Sequence, residues 1–229
     1  MSAPATLRFE LDHVVVGASS LAEGRRWCEA TFGVAARDGG AHAFMGTHNV
    51  LLSLASPRWP RAYLEIIAID PDAPAPARTR WFDLDRPAVR DRVAAEPTLL
   101  HWVARASDIE AGVAALRGEG HDVGDVTASE RMTPRGLLRW RISLPVDGRR
   151  PAAGAVPLLI AWPAEHPTDA LPASGVTIES VRLGGVAGPL ARRLGAEPTV
   201  AGSEAPGAPL HIDLRGPRGP VTLCAPALD

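Results

Sequence analysis

Apolar residues crowd the stretch from Leu7 to Val16 in imperfect alternation, a pattern that predicts a strand buried over most of one face. Ser19 or Ser20 then offers an N-cap, with Glu23 placed to close a capping box from Ser20. The helix so begun is predicted to run to about Phe32, with Leu21, Trp27, Ala30 and Thr31 on its packing side, and Gly33 ends it. Two short apolar pieces follow, AHAFMG and VLLSLA, separated by Thr47, His48 and Asn49, and past Pro57 and Pro60 comes AYLEIIAID. Short strands split by turn residues after a single helix predict a β-α-β-β-β unit.

The pattern then recurs. LDHVVVGAS, Leu11 to Ser19, lies over LLHWVARAS, Leu99 to Ser107, without a gap: His13 falls on His101, Val15 on Val103, Ala18 on Ala106, Ser19 on Ser107 and, further on, Gly24 on Gly112. A helix over DIEAGVAALRGEG and strands near HDVGDVTASERM, GLLRWRISL and VPLLIAW complete a second β-α-β-β-β unit from about Leu99 to Trp162. Between the copies stand a proline-alanine linker, PDAPAPAR, an ordered docking segment, RWFDLD, and a short helix, RPAVRDRVAAEP. After a proline-bearing loop from Pro163 to Ser174, a shorter β-α-β-β unit follows, with Ser180 in the place of the two histidines. The fold class is α+β: tandem βαβββ modules at 7–71 and 98–165 forming a cupped mixed sheet, a linker at 72–97, and a truncated βαββ module at 175–225.

Residues on the first and last strand of such a unit can face one concave surface. In the first copy those are His13 and Glu65; in the second, His101 and whatever matches Glu65, which overlay places at Ile160 or Ala161, neither able to ligate. Glu65 stands among Tyr63, Leu64, Ile66, Ile67 and Ile69. Burying it unpaired costs several kcal/mol, so it needs a metal, a cation or a shifted pKa, or else it faces solvent or pairs with an arginine such as Arg8 or Arg141. His13, Glu65 and His101 are therefore the candidate ligands for Zn²⁺, Ni²⁺, Mn²⁺ or Fe²⁺, with open positions for water and substrate. His48 and His42 are candidates for acid-base work at the mouth of the site, with Asn49 as a donor. Trp102 and Trp162 are assigned to the cavity wall or the core. The alternative is metal-free binding of a small apolar or aromatic molecule against those tryptophans.

Composition narrows the classes. Of 229 residues 46% are hydrophobic and 22% charged, with a formal charge of −2, which leaves no electrostatic footprint for nucleic acid or an anionic membrane surface. All 24 basic residues are arginine, so lysine Schiff-base chemistry is excluded. Two cysteines, Cys28 and Cys224, make neither a disulfide framework nor a CxxC site, and the opening MSAPATLRFELDH has no basic n-region or apolar h-region. A cytoplasmic protein acting on a small molecule is expected, with an unpaired sheet edge that would suit a homodimer. No GxSxG, Walker, Rossmann or HExxH pattern occurs.

LDHVVVGASSLAEGRRW, GGAHAFMGTHNVLLSL, YLEIIAIDP and RTRWFDLD, with GLLRWRISLP and PLLIAWPAEHP in the second copy, resemble the glyoxalase-like members of the vicinal oxygen chelate (glyoxalase/bleomycin resistance/dioxygenase) superfamily, over about residues 7 to 225. The resemblance implies paired modules around a divalent metal, ligands carried onto His13, Glu65 and His101, a fourth ligand lost at Ile160 or Ala161, and a lyase, isomerase or dioxygenase activity on a small oxygenated metabolite. Glyoxalase I of that superfamily uses four ligands and a thiol conjugate of methylglyoxal. Its extradiol dioxygenases use two histidines and one glutamate, the count found here.

Overall fold

The two copies in the sequence become the two halves of one sheet. The computed structural model describes residues 7–198 and 208–227; residues 1–6, part of the opening segment read for a leader, and 199–207 within the third unit lie outside that range. The first half contains β1 (Phe9–Gly17), α1 (Leu21–Phe32), β2 (Arg37–His42), β3 (Thr47–Ser53) and β4 (Tyr63–Ile69). After α2 (Pro87–Ala95), the second contains β5 (Thr98–Ala106), α3 (Ile109–Gly118), β6 (Asp125–Thr133), β7 (Gly136–Leu144) and β8 (Leu158–Ala161). The strand order is β2-β3-β4-β1-β5-β8-β7-β6. β1–β4 and β5–β8 are parallel, and β1–β5 joins the halves antiparallel. The outer strands β2 and β6 approach each other, so the sheet curls into a nearly closed cup.

A separate four-stranded sheet, ordered β10-β9-β11-β12, follows: β9 (Thr177–Leu183), β10 (Glu197–Pro198), β11 (Leu210–Gly216) and β12 (Gly219–Ala225), with α4 (Gly188–Arg193) between its first two strands. Among the described residues no helix is long and apolar enough to cross a membrane.

Local chemistry sets α1 as expected at its ends: Ser20 accepts from the Glu23 N–H, and Gly33 takes a left-handed φ of 75°. Its packing side differs from the predicted one. Gly24, Cys28 and Phe32 are buried, while Leu21 and Trp27 are only partly covered. Gly24 explains the shift, because a Cβ there would lie 2.4 Å from Ile66 Cγ2 and 3.3 Å from Ala18 Cβ. The helix rests on the sheet at its own backbone. The second copy repeats the device: a Cβ on Gly112 would lie 2.7 Å from Leu159 Cδ1 and 3.2 Å from Ala106 Cβ. The duplicated Ala/Gly pair is thus a helix-to-sheet contact used twice.

The turn after β2 also falls elsewhere than predicted. Gly46, with φ of 58°, supplies a left-handed position, so residues 43–46 turn and Thr47, His48 and Asn49 belong to β3. This matters for the site, since a residue inside a strand has a fixed face.

Candidate active site

Strand register decides which side chains meet inside the cup. His13 pairs with Tyr63 and Val15 with Glu65 across the parallel β1–β4 ladder, Leu51 lies opposite Glu65, and Thr47 opposite His42. Paired residues share a face, so His13, Tyr63, Glu65, Asn49, Leu51 and His42 all look into the cavity. From the other half come Leu138, Trp140, Ile142, Ile160 and Arg131, and from the inter-copy segment Trp81 and Phe82. The cleft they line is narrow, with a cavity volume of about 30 Å³.

At its floor Glu65 is 5% exposed. Asn49 Nδ2 donates to Glu65 Oε1 at 2.5 Å, and the same amide nitrogen lies 3.3 Å from His42 Nε2. The amide orientation follows from its other end: Oδ1 accepts from the Gly40 N–H at 2.9 Å and from Arg131 Nη1 at 3.2 Å, both obligatory donors. Glu65 Oε2 faces His13 Nε2 at 3.7 Å, and His42 Nε2 stands 3.8 Å from Oε1. Burial holds His42 well below the ordinary histidine range, with Arg131 adding to the effect. It is neutral, with Nε2 as acceptor from Asn49 and Nδ1 donating to Thr47 Oγ1 at 3.2 Å.

Behind His13 lies a carboxylate that sequence reasoning passed over. Asp12 is fully buried, and Oδ1 accepts from His13 Nδ1 at 2.7 Å. Its Oδ2 accepts from His166 Nε2 at 3.0 Å, Trp162 Nε1 at 3.1 Å and Arg105 Nη1 at 3.4 Å. Adjacent strand residues ordinarily point to opposite faces, but the β1–β5 register slips between Leu11 and His13, and this bulge frees Asp12 to lie beside its neighbour. Burial alone would raise the Asp12 pKa; the hydrogen bonds from His13 and His166 outweigh it and hold the group well below the carboxylate range. An ionised Asp12 fixes the proton of His13 on Nδ1 and turns the Nε2 lone pair into the cleft. Tyr63 stacks on the same ring with centroids 4.7 Å apart.

The other expected site residues are placed differently. His101 shares the inward-facing side of the sheet, yet its Nε2 accepts the Leu158 N–H at 3.2 Å, its Nδ1 is buried without a partner, and its ring lies against Phe82. It does not line the cleft. His42 stands beside His13 and Glu65 instead. The counterpart of Glu65 is Leu158 rather than Ile160 or Ala161, because Val103 pairs with Leu158 as Val15 pairs with Glu65. His48 sits on the opposite face of β3, with Nδ1 3.8 Å from Asp70 Oδ1, so it cannot reach the cleft. Trp162 lines the cavity. Trp102, one residue past His101, points through the sheet into the core and donates to Ala155 O at 3.2 Å. Glu65 pairs with neither Arg8 nor Arg141; Arg141 binds Glu110.

The donor set can be tested against a divalent metal. Two imidazoles and a carboxylate suit one chemically, but Asn49 already occupies Glu65 Oε1 and His42 Nε2, which leaves two uncommitted donors, His13 Nε2 and Glu65 Oε2. Among the described residues no group of three His, Cys, Asp or Glu side chains is arranged to hold a metal ion. The trio expected from the sequence does not fit.

Three further residues missed from sequence, Arg131 as the partner of Asn49 and the Gly39–Gly40 pair, belong together. A Cβ on Gly39 would lie 2.0 Å from Asn49 Oδ1, and one on Gly40 2.7 Å from Arg131 Nη1. The double glycine was the available signal.

A cupped mixed sheet of two βαβββ halves thus surrounds a buried acid–imidazole cleft. The glyoxalase-like domain matches residues 11–198, and the chain belongs to that family. No curated protein matches the chain. Among solved structures, a hypothetical protein from Staphylococcus aureus is 16% identical, with a TM-score of 0.54 over 94% of this chain and 85% of that one, a likeness of fold. Methylmalonyl-CoA epimerase from Mycobacterium tuberculosis is 20% identical with a TM-score of 0.39 over 68% of this chain and 89% of its own.

Proposed function

We propose that the cleft takes up a small oxygen-bearing metabolite and moves a proton on it, with Glu65 as the base. One observation supports this most: Glu65 Oε2 and His13 Nε2 face each other across 3.7 Å, each without a hydrogen bond among the described residues and each held from behind by a fixed partner. Two lone pairs so opposed leave a place for a C–H or O–H group of a substrate between them. Asn49 anchors the far oxygen of Glu65, so the near one is aimed. In this reading Glu65 takes the proton, His13 Nε2 accepts a hydrogen bond from a substrate hydroxyl, and Trp81, Trp140 and Trp162 exclude water.

The same aromatic wall supports a second reading, metal-free sequestration of a small molecule without turnover. Solvent exchange separates them. Small hydroxy and oxo compounds incubated with the protein in D₂O are followed by proton NMR for loss of the C–H beside the oxygenated carbon. Turnover that falls by about 10²–10⁴-fold in Glu65→Gln supports the base, in line with what one acid-base group contributes; binding without exchange gives the sequestering reading. Parallel titration with Zn²⁺, Ni²⁺, Mn²⁺ and Fe²⁺ checks the expected cofactor: stoichiometric uptake abolished by His13→Ala would replace acid-base catalysis with a metal-assisted reaction at the same two atoms.

A further inference from the structure

A second cavity, about 400 Å³, opens beside the cleft and shares Leu51, Arg131, Leu138 and Pro167 with it, so the two adjoin. Its charge is uneven. Arg37, Arg131 and Arg135 line it, and among the described residues none of the three has a carboxylate within 4.0 Å. Of the two acids there, Asp38 is engaged by Arg25, which leaves Glu165 alone against three guanidinium groups. Neighbouring arginines on the same sheet behave otherwise: Arg139 pairs with Glu130 and Arg141 with Glu110.

Arg131 is the innermost of the three. Its Nη1 donates to Asn49 Oδ1 at 3.2 Å, while its Nε is buried and has no hydrogen-bond partner among the described residues. Covering a guanidinium without a directly paired anion is costly, and among the described residues no carboxylate pairs with it, the charge of Glu65 reaching it only across Asn49. A neutral amide oxygen uses one donor of five, and the rest of the planar fork is shaped for a carboxylate or phosphate. The position is also made room for, since any side chain at Gly40 would displace Nη1.

We infer that Arg131 recognises the charged group of the substrate, and that the substrate is a small organic anion, a carboxylate or a phosphate ester. This deepens the acid-base reading above and rests on it. Asn49 bridges Arg131 to Glu65, so the anion and the reacting carbon are separated by about the span of one side-chain amide, which selects a compact molecule. Arg37 and Arg135 further out supply a positive funnel that raises the local concentration of anions.

The test uses the full chain and three probes: oxalate, inorganic phosphate and, as the neutral match of oxalate, oxamide. Calorimetry is expected to show oxalate or phosphate binding and no oxamide binding; which anion binds assigns the carboxylate or the phosphate. Arg131→Gln weakens that binding by about tenfold or more, the usual cost of losing a charged hydrogen bond. Arg131→Lys, which keeps the charge and loses the fork, falls between. Glu65→Gln keeps the binding while abolishing proton exchange, so the anion site and the base fail separately. Should Arg131→Gln not fold by circular dichroism, Arg37→Gln/Arg135→Gln reads the same field through a slower association and a flatter salt dependence. Equal binding of oxamide and oxalate, anion affinity unchanged in Arg131→Gln, or binding of neither anion overturns the inference.

Discussion

Four donors surround the buried carboxylate of Asp12, and its ionisation is linked to folding. Its pKa is depressed in the folded chain relative to about 3.9 when unfolded, so its contribution is complete above about pH 4 and is lost as the pH falls further. Asp12→Asn removes the charge and turns one of the two acceptor oxygens into an NH2 donor, so either His13 or the His166, Trp162 and Arg105 group loses its acceptor. It is expected to cost about 3–5 kcal/mol at pH 7 and to flatten the acid limb, measured by urea unfolding across pH 2–7. Histidine gives a second window. His42 and His101 are held neutral in the folded protein by burial, with Arg131 and Arg150 respectively adding to it. Below about pH 6.5 the unfolded chain takes up protons that the folded one refuses, and stability falls. His101→Gln is expected to reduce that slope between pH 6.5 and 5 by up to about 1.4 kcal/mol per pH unit. His13 and Glu65 could be paired from sequence because both lie mid-strand in apolar runs. Asp12 could not, because a bulge is a property of the pairing and leaves no trace in the alternation.

At the scale of elements, close approach and one buried ion pair hold the cup together. Gly24→Ala and Gly112→Ala each place a methyl group against the sheet, on Ile66 and Leu159, and are expected to destabilise by about 1–3 kcal/mol in chemical denaturation. Both glycines were visible as a repeat, which showed that they matter without showing why. The inter-copy segment taught more. RWFDLD reads as a docking segment, and what it docks is the cleft wall: Trp81 and Phe82 enter the cavity while Asp83 beside them pairs with Arg150 at 2.9 Å. Phe82 and Asp83 carry positive φ angles near 60°, a strained turn that this buried pair fixes. Breaking it with Asp83→Asn is expected to cost about 3–5 kcal/mol and to weaken ligand binding, because the wall loosens with it. Calorimetric melting and ligand titration on the same sample check both.

Over the whole molecule, apolar side chains of both sheets join one continuous core, from Phe9 and Phe32 through Trp102 to Ile212 and Leu214. A contiguous core unfolds as a unit, so tryptophan fluorescence and far-ultraviolet circular dichroism are expected to give coincident transitions; two separated transitions would show that the small sheet folds apart. Hydrophobic spacing, caps and the repeat were enough to determine the element order of the two halves and the inward place of His13 and Glu65, because those follow from local periodicity along a strand, whereas the third unit, expected as βαββ, carries the additional short strand β10. Only the tertiary structure decided that His42 rather than His101 stands beside them, that Asp12 and Arg131 complete the cleft, and that His48 and Trp102 face away from it. Those choices depend on register, a bulge and the closing of one sheet edge towards the other, which are set by pairing between distant strands and are not written in the order of residues along any one of them.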